Sequence, residues 1–326
     1  MATYYGTYGQ KVQYLASDPS DPQTGQVWYN STSATLKVQS VTTSGTWAAG
    51  GNMNTARRVL GGAGTQTAGL AFGGLVPPNT AETEEYGGTS WTSGGNMGTA
   101  RRDLGGMGTQ TAALAIGGFT TGNTAATEEY DGTSWTTGGN LGTTRRVMGA
   151  AGTQTSALAF GGFIPPDSTA TEEYDGTSWT SGGNMNTARR SPAGAGTQTA
   201  ALAFGGFLYP TTNATEEYDG TSWTTGGNLG TPRTTLGGSG IQTAALAFGG
   251  LTDTDAGLSA TELYNGTSWT ANPTGLNTAR GQLGGSTAGT QTSALAFAGY
   301  TGTAPTAATE EWTGPGTATT KTVTVT

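Results

Sequence analysis

Bulky apolar side chains alternate with small ones at regular intervals along most of this chain. In residues 67–74, TAGLAFGG, Leu70 and Phe72 share one face of an extended strand, and Ala and Gly occupy the positions around them. A two-residue period with one bulky and one slim face predicts a strand packed between neighbouring sheets. Three more strands are predicted beside it: one in RRVLGGAG from Arg57, one in TEEY and one in SWTT. No segment has the periodicity of a helix.

The same pattern returns about every 44 residues. The tryptophans that mark this period are 44 residues apart, and a further one follows after 46: Trp47, Trp91, Trp135, Trp179, Trp223 and then Trp269. The clearest copy runs from Gly196 through Trp223, and an Asp-Gly pair separates its third and fourth strands. Asp-Gly is a strong hairpin signal. A unit of this length with four strands is typical of a propeller blade, and six copies indicate an array.

Three features of each copy resemble the kelch repeat: a Gly-Gly pair that closes the second strand, a Glu before Tyr, and a Trp that closes the unit. The resemblance extends over residues 45–313 and implies an all-β fold, a six-bladed kelch-type β-propeller with four-stranded blades. The last copy departs from the pattern, since it has Ala298-Gly299 and Trp312 in place of Gly-Gly and Tyr.

Three regions are expected: an extended N-terminal arm at 1–44, the propeller at 45–313 and a β-like tail at 314–326. The arm carries six aromatic residues outside the repeat: Tyr4, Tyr5, Tyr8, Tyr14, Trp28 and Tyr29. The repeat begins with a fourth strand at Trp47 and ends with a third strand at Trp312. The outer strand of the last blade is therefore predicted to come from the segment around Trp47, which would leave no open edge. TLKVQ from Thr35 and TKTVTVT at the C terminus are competing strands.

Composition narrows the chemistry. The 326 residues include no Cys and no His, so the sequence lacks thiolate metal ligands and the commonest general base. The net charge of −8 argues against a nucleic-acid partner. No apolar run approaches the ~18 residues of a membrane span, and the start, MATYYGTYGQK, lacks the apolar core of a signal peptide. We expect no cofactor and no bound metal.

Charged residues recur in step with the repeat. We interpret them as a structural ring in which an Arg at the start of each first strand pairs with a Glu at the start of each third strand, about 10 Å away. The alternatives are an anion-binding ring of arginines and an acid–base pair of glutamates as in glycosidases. The predicted ring consists of Arg57, Arg101, Arg145, Arg189, Arg233 and Arg280, with Glu84, Glu128, Glu172, Glu216, Glu262 and Glu310.

Other motifs allow a structural and a functional interpretation. The aromatic pairs such as Tyr86 and Trp91 are expected in the core between blades, with sugar stacking as the alternative. The Gly-Gly pairs lack the Lys and helix of a phosphate loop, so they are expected to serve strand-end packing. Asp253 and Asp255 lie in one loop and leave open a calcium site, for which two carboxylates are a weak signal.

Binding is expected where the copies differ. The turns GTQT and DGTS are nearly the same in every copy, whereas the connections between second and third strands all differ. In a four-stranded meander these connections emerge on the face that also carries the links between blades. Diversified loops on a fixed scaffold are typical of binding surfaces, with neutral drift as the alternative. The candidate ligand contacts are Pro77, Asn79, Asn123, Pro165, Asp167, Tyr209, Asp253 and Asp255.

Three functional classes fit to different degrees. TGQVWYNSTSATLKV from Thr24 resembles adaptor-like segments near the repeat regions of tailed-bacteriophage fibre and appendage proteins. This resemblance implies a non-enzymatic virion attachment protein, present in many copies, that joins other virion proteins through its arm and binds a host-surface glycan or protein. The alternative is a secreted or surface lectin-like module of bacteria, which would be extracellular. An oxidase-like or sialidase-like enzyme fits least, because the required His, Cys or unique acid cluster is missing.

Overall fold

A computed structural model describes residues 12–41, 44–316 and 318–323. Tyr4, Tyr5 and Tyr8 lie outside these residues. The described residues are all-β, contain no helix, and form 28 strands in seven four-stranded sheets, consistent with a repeat β-propeller. The chain divides into two compact units: Met1–Gly45 together with Thr313–Thr326, and Thr46–Trp312.

The first unit is one sheet built from both ends of the chain. Numbered in chain order, its strands are β1 (Gln13–Leu15), β2 (Val27–Asn30), β3 (Thr35–Val41) and β28 (Ala318–Val323), in the order β1-β2-β3-β28. The β1 and β2 strands are parallel, and the other neighbours are antiparallel. The expectation of an extended arm is therefore corrected, because TLKVQ and the C-terminal stretch pair with each other along their backbones.

Asp18 holds this small sheet together. Its carboxylate accepts hydrogen bonds from the buried Trp28 indole at 3.0 Å and from Asn30 at 2.7 Å, and it pairs with Lys37 at 2.6 Å. The bond to Lys37 contributes most to lowering the pKa of Asp18 to about 2, followed by the bonds to Asn30 and Trp28. Of the aromatic residues of the arm, Trp28 is therefore buried and bonded within its own unit.

The second unit contains six sheets, each with four strands in antiparallel order. The first strands are β5 (Gly61–Gly64), β9 (Gly105–Thr109), β13 (Gly149–Thr153), β17 (Ala193–Thr197), β21 (Gly237–Ile241) and β25 (Gly284–Gly285). The second strands are β6 (Gly69–Phe72), β10 (Ala112–Ile116), β14 (Ser156–Phe160), β18 (Ala200–Phe204), β22 (Ala244–Phe248) and β26 (Ser293–Phe297). The third strands are β7 (Thr83–Tyr86), β11 (Thr127–Tyr130), β15 (Thr171–Tyr174), β19 (Thr215–Tyr218), β23 (Thr261–Tyr264) and β27 (Thr309–Thr313). The fourth strands are β8 (Trp91–Ser93), β12 (Trp135–Thr137), β16 (Trp179–Ser181), β20 (Trp223–Thr225), β24 (Trp269–Ala271) and β4 (Thr46–Ala49).

The first strands of these sheets contact one another in cyclic order, and β25 contacts β5. They surround a central cavity of about 110 Å³ lined mainly by Gly and small apolar residues. The hydrophobic core lies between consecutive sheets. One cluster, for example, joins Met107, Leu114 and Ile116 of one sheet to Leu141 and Tyr174 of the next. Large side chains of one sheet therefore fill the space left by the Ala and Gly of its neighbour.

The Gly-Gly pairs end the second strands. Gly73 has a φ of +62° and Gly74 a φ of +109°, a region that disfavours side chains. A Cβ at Gly73 would lie 2.7 Å from the carbonyl oxygen of Arg101 in the following sheet. The pair thus turns the chain out of the sheet at a point where two backbones approach closely, as expected for strand-end packing.

The sixth sheet takes its outer strand from the start of the second unit. Its order is β25-β26-β27-β4, so Thr46–Ala49 completes a sheet whose other strands lie more than 200 residues later. Trp47 packs there against Trp312 and Phe248, with ring centroids 5.2 and 5.0 Å away. The prediction that the segment around Trp47 supplies this strand is confirmed.

This arrangement predicts different outcomes for two nearby truncations. Deleting residues 1–50 removes β4, exposes the edge of β27 and opens the core around Trp312, so we expect loss of cooperative thermal unfolding. Deleting residues 1–44 keeps β4 and serves as the matched control, for which a cooperative transition of the second unit is expected. Calorimetry or circular dichroism measures both. Equal cooperativity in the two truncations would contradict the role of β4.

Candidate functional site

Each repeat buries one arginine against one glutamate. The six arginine side chains are fully buried, and their guanidinium nitrogens lie 2.9–3.3 Å from the paired carboxylates in five repeats, with Arg280 and Glu310 also in contact. Burial lowers the pKa of these arginines, and the paired carboxylate opposes that shift. The pairs are Arg57–Glu84, Arg101–Glu128, Arg145–Glu172, Arg189–Glu216, Arg233–Glu262 and Arg280–Glu310.

Arg145 shows what the buried guanidinium holds. It donates hydrogen bonds to the carbonyl oxygens of Ala159, Gly161 and Ala170, at 3.3, 3.1 and 2.7 Å. The second carboxylate oxygen of its partner Glu172 accepts a bond from the backbone N–H of Gly142 at 2.6 Å. These groups lie where the second strand leaves the sheet and the next one begins. The pair therefore adds hydrogen bonds to backbone groups at the end of the second strand, where the carbonyl of Ala170 also accepts the N–H of Gly161 at 3.0 Å.

The two glutamates of each TEEY segment have separate partners. Because neighbouring strand residues point to opposite faces, the second glutamate faces the next sheet. There it accepts a hydrogen bond of 2.5–2.6 Å from a tyrosine hydroxyl. Five such bonds occur: Tyr86 to Glu311, Tyr130 to Glu85, Tyr174 to Glu129, Tyr218 to Glu173 and Tyr264 to Glu217. Burial, followed by the bond to the carboxylate, raises the pKa of each tyrosine to about 12.

At one junction between sheets, both partners of this tyrosine–glutamate bond are replaced. Leu263 replaces the second glutamate in the fifth sheet, and Trp312 replaces the tyrosine that would face it from the sixth. Leu263 packs against the apolar cluster that contains Trp312. The exchange removes a hydroxyl donor and its carboxylate acceptor together, so neither is left buried without a partner.

The aromatic ladder also lies between sheets. Each of the six repeat tryptophans donates its indole N–H to a threonine hydroxyl of the preceding sheet at 2.9–3.0 Å, as Trp135 does to Thr83 and Trp91 to Thr309. The tryptophans also contact Tyr or Phe rings at about 5 Å. This places the ladder in contacts between sheets.

One end of the central cavity is bordered by a ring of backbone hydrogen bonds. Six residues, one from each repeat, each donate their N–H to the carbonyl of the corresponding residue in the preceding repeat, over 2.6–3.3 Å. All six have a φ between +48° and +57° although none is glycine. They are Val59, Asp103, Val147, Ser191, Thr235 and Gln282. Strained backbone of this kind is often found at functional sites.

Arginines stand beside four members of this ring. Arg58, Arg102, Arg146 and Arg190 precede the ring residues, whereas Thr234 and Gly281 occupy the two remaining positions. The guanidinium of Arg146 lies between Phe119 and Phe163, 4.7 and 5.1 Å from the ring centroids. The other three also stack on aromatic rings: Arg58 on Tyr300, Arg102 on Phe119, and Arg190 on Phe163 and Phe207. We call these four residues the arginine arc.

Three residues of the arginine arc, Arg102, Arg146 and Arg190, border a depression of about 470 Å³, which Arg58 does not line. Its lining also includes Asp103, Ser191, Thr235 and Gln282. Desolvation raises the pKa of Asp103, an effect that the charges of Arg102, Arg146 and Arg58 oppose. The depression therefore has one cationic side and one side of uncharged hydroxyl and amide groups.

The variable connections lie on the same face as the arginine arc. Leu75 pairs with both Arg58 and Asn79, and equivalent bridges place the other connections beside Arg102, Arg146 and Arg190. A Cβ at Gly132 of the Asp-Gly hairpin would instead lie 3.3 Å from Thr111 of the GTQT turn. The two nearly invariant turns are thus neighbours at the other end of the sheets.

Half of the candidate ligand contacts make bonds within the protein. Asn79 bonds to the carbonyl of Phe119 at 3.1 Å and accepts a bond from Arg102 at 2.9 Å, and Asn123 bonds to the carbonyl of Phe163 at 3.0 Å. Asp167 pairs with Arg190 at 3.3 Å. Asp253 accepts a bond of 2.6 Å from the N–H of Thr211. Asn79, Asn123 and Asp167 thus join their connections to the following repeat, whereas Asp253 joins its connection to the preceding one.

The other four candidates, Pro77, Pro165, Tyr209 and Asp255, are exposed, and Tyr209 is 87% exposed. Among the described residues there is no group of three or more Asp, Glu, His or Cys placed to hold a metal ion. The arginine arc was not predicted from the sequence, because the two adjacent arginines of a repeat resemble a single feature there. The signal was present in the second arginine, which is kept in four copies and lost in two.

A scan of the chain against protein-family models finds no match, and a comparison with curated proteins finds none either. In the described part of the chain, no helix is long and apolar enough to cross a membrane.

The buried pairs predict a large difference between two adjacent arginines. Arg145→Ala leaves the buried carboxylate of Glu172 without its cation and removes hydrogen bonds to three carbonyls, so we expect a loss of about 3–5 kcal/mol in the free energy of unfolding. Arg146→Ala removes a partly exposed stacked side chain and should cost about 1 kcal/mol or less. Chemical denaturation measures both. Equal stability of the two variants would contradict a structural role for Arg145.

A double variant tests whether the charge itself is needed. Nε of Arg145 has no hydrogen-bond partner among the described residues. Replacing both charged partners, as in Arg145→Met with Glu172→Leu, should therefore cost less than Arg145→Ala alone.

The tyrosine–glutamate bonds predict sensitivity to alkali. The pKa of each tyrosine is about 12 in the folded chain and near the ordinary 10 in the unfolded chain. Their contribution to stability is therefore complete below pH 10 and is lost as the pH rises towards 12. Tyr130→Phe with Tyr174→Phe should weaken this pH dependence relative to the wild type. Unfolding titrations at pH 8–12 with absorbance at 295 nm measure it. The same slope in both proteins would refute the assignment.

Proposed function

We propose that the second unit is a six-bladed kelch-type β-propeller. The first strands of six four-stranded sheets contact one another in cyclic order. At each junction between sheets, a repeat tryptophan donates a hydrogen bond to a threonine of the preceding sheet. The residues that resemble the kelch repeat have matching structural positions: Gly-Gly at the end of the second strand, Glu and Tyr in the third, Trp at the start of the fourth.

We propose that the protein is a non-enzymatic attachment protein of a virus particle, which presents this propeller to a host-surface glycan or protein. The observation that carries the proposal is the separation of repeated from variable residues. Repeated side chains join neighbouring sheets, whereas the variable connections lie together beside the arginine arc on one face. A constant scaffold with one diversified face is typical of binding proteins.

The first unit is proposed to join other virion proteins. Tyr14 is 75% exposed and stacks on Tyr29 with ring centroids 5.2 Å apart, and Val12 beside them is 50% exposed. Exposed apolar groups near the edge strand β1 suit contact with a partner chain. Several copies on one particle would add avidity to weak contacts made by single loops.

A lectin-like module secreted by bacteria, or held at their surface, is the second candidate. The stacked guanidinium and aromatic groups that line the depression suit a saccharide whether or not a particle carries the chain. Detection of the protein in purified virus particles by mass spectrometry supports the first candidate, and its detection in the culture medium of uninfected bacteria supports the second.

A loop exchange tests the binding face. Residues 120–124, TTGNT, replace the corresponding part of the other five connections, which keeps the Asn that bonds to the next sheet. We expect an unchanged fold and at least tenfold weaker adsorption to host cells, because the differing side chains are gone. Asp175→Asn at the opposite end, which copies the hairpin at Asn265, is the matched control and should adsorb normally. Unchanged adsorption of the loop-exchanged protein would show that the sequence differences between the connections do not contribute to binding.

A further inference from the structure

The guanidinium of Arg146 is held between two phenyl rings, Phe119 and Phe163, whose centroids lie 4.7 and 5.1 Å from it. Stacking on both faces leaves only the edge of the planar group for hydrogen bonding. That edge presents parallel N–H donors, the geometry that matches a carboxylate.

Within the part of the chain that the structure describes, the Arg146 side chain makes no hydrogen bond and no ion pair. Its neighbours in the arc are occupied: Arg102 bonds to Asn79 and Asp103, and Arg190 pairs with Asp167. Arg58 bonds to Gln282 at 3.3 Å. Asn123 holds the place next to Arg146 that Asn79 holds next to Arg102, but it bonds only to the carbonyl of Phe163. Arg146 is thus an oriented cation whose charge acts on Asp103 but whose N–H groups bond to no other described residue.

The surroundings of Arg146 fit a small polar ligand with one negative charge. The depression of about 470 Å³ lies within the usual range of ligand sites, about 300–1,000 Å³. Besides Arg146 it offers Ser191, Thr235 and Gln282, which can bond to ligand hydroxyls. A ligand with many negative charges would meet the carboxylates of Asp103 and Asp167.

We propose that the depression binds an acidic sugar residue, with the edge of Arg146 bonded to its carboxylate and the neutral side facing its hydroxyls. The inference rests on the proposed binding function and names its ligand class. A sugar fits better than an acidic peptide, because the site supplies one free cation and several neutral hydrogen-bonding groups.

The test is equilibrium binding of sialyllactose and oligogalacturonate, with their carboxyl-reduced forms as neutral controls. We expect the wild type to bind at least one acidic saccharide and to bind its reduced form at least tenfold more weakly. Arg146→Gln, and also Arg146→Lys, which keeps the charge but loses the paired donors, should lower the affinity at least about tenfold. Asp103→Asn should raise it, since it removes a negative charge from the lining of the depression.

Arg58→Gln is the matched control, because it removes the same charge from the same face. It should change the affinity less than threefold, and thermal melts should show that all variants fold. An equal loss of affinity in Arg58→Gln and Arg146→Gln overturns the proposal, since it would indicate attraction by the overall positive charge of this face and not a bond to Arg146. Binding of neither saccharide, equal binding of the reduced forms, or binding only of a sulfated saccharide or a polyglutamate peptide also overturns it.

Adsorption to host cells separates this inference from the proposed function. If the loop exchange abolishes adsorption and Arg146→Gln does not, the attachment function stands and the acidic-sugar site is refuted. If acidic saccharides bind through Arg146 but neither change affects adsorption, the sugar site stands and host attachment is refuted.

Discussion

The second unit depends on a buried cation at the point where the second strand of each sheet ends. The second strand must end abruptly so that the chain can turn outward, and several carbonyl groups converge at this point. Arg145 and its counterparts supply donors to these carbonyls, and the paired glutamate offsets the charge and binds the incoming link. Without such a group, the buried carbonyls would each carry a desolvation cost. The small residues and glycines nearby are the space that this long side chain requires.

Much of this architecture could be predicted from the sequence because each local pattern recurs in the six copies of the repeat. The alternation around Leu70 and Phe72 predicts a strand between sheets, and a repeat that begins with a fourth strand at Trp47 and ends with a third predicts the exchanged strand β4. The Arg and Glu of each copy can be matched because they are 27 residues apart in four copies and 29 or 30 apart in the last two. Such features follow from local pattern and from the geometry of a meander.

Other features could not be predicted because they depend on contacts distant in sequence. The pairing of β3 with β28 joins segments at opposite ends of the chain, and neither carries a repeat that would reveal its partner. The variable connections resemble free loops in sequence, yet Asn79 and Asn123 are bonded to the next sheet. The sandwich of Arg146 between two phenyl rings requires knowing that consecutive repeats place these groups side by side.

The paired replacement at Leu263 and Trp312 makes one junction between sheets chemically different from the others. At the other junctions a sheet that offers a tyrosine hydroxyl meets one that offers a carboxylate, so those neighbours are chemically interchangeable. The sheet of Trp312 fits only behind the sheet of Leu263, because any other place would bury a carboxylate opposite an indole. This pair of residues therefore specifies which sheet lies next to the last sheet. It does not specify how many sheets the unit contains. Loss of one interior copy through recombination between near-identical gene segments would leave every remaining junction correctly matched, and only the curvature of the ring would oppose it.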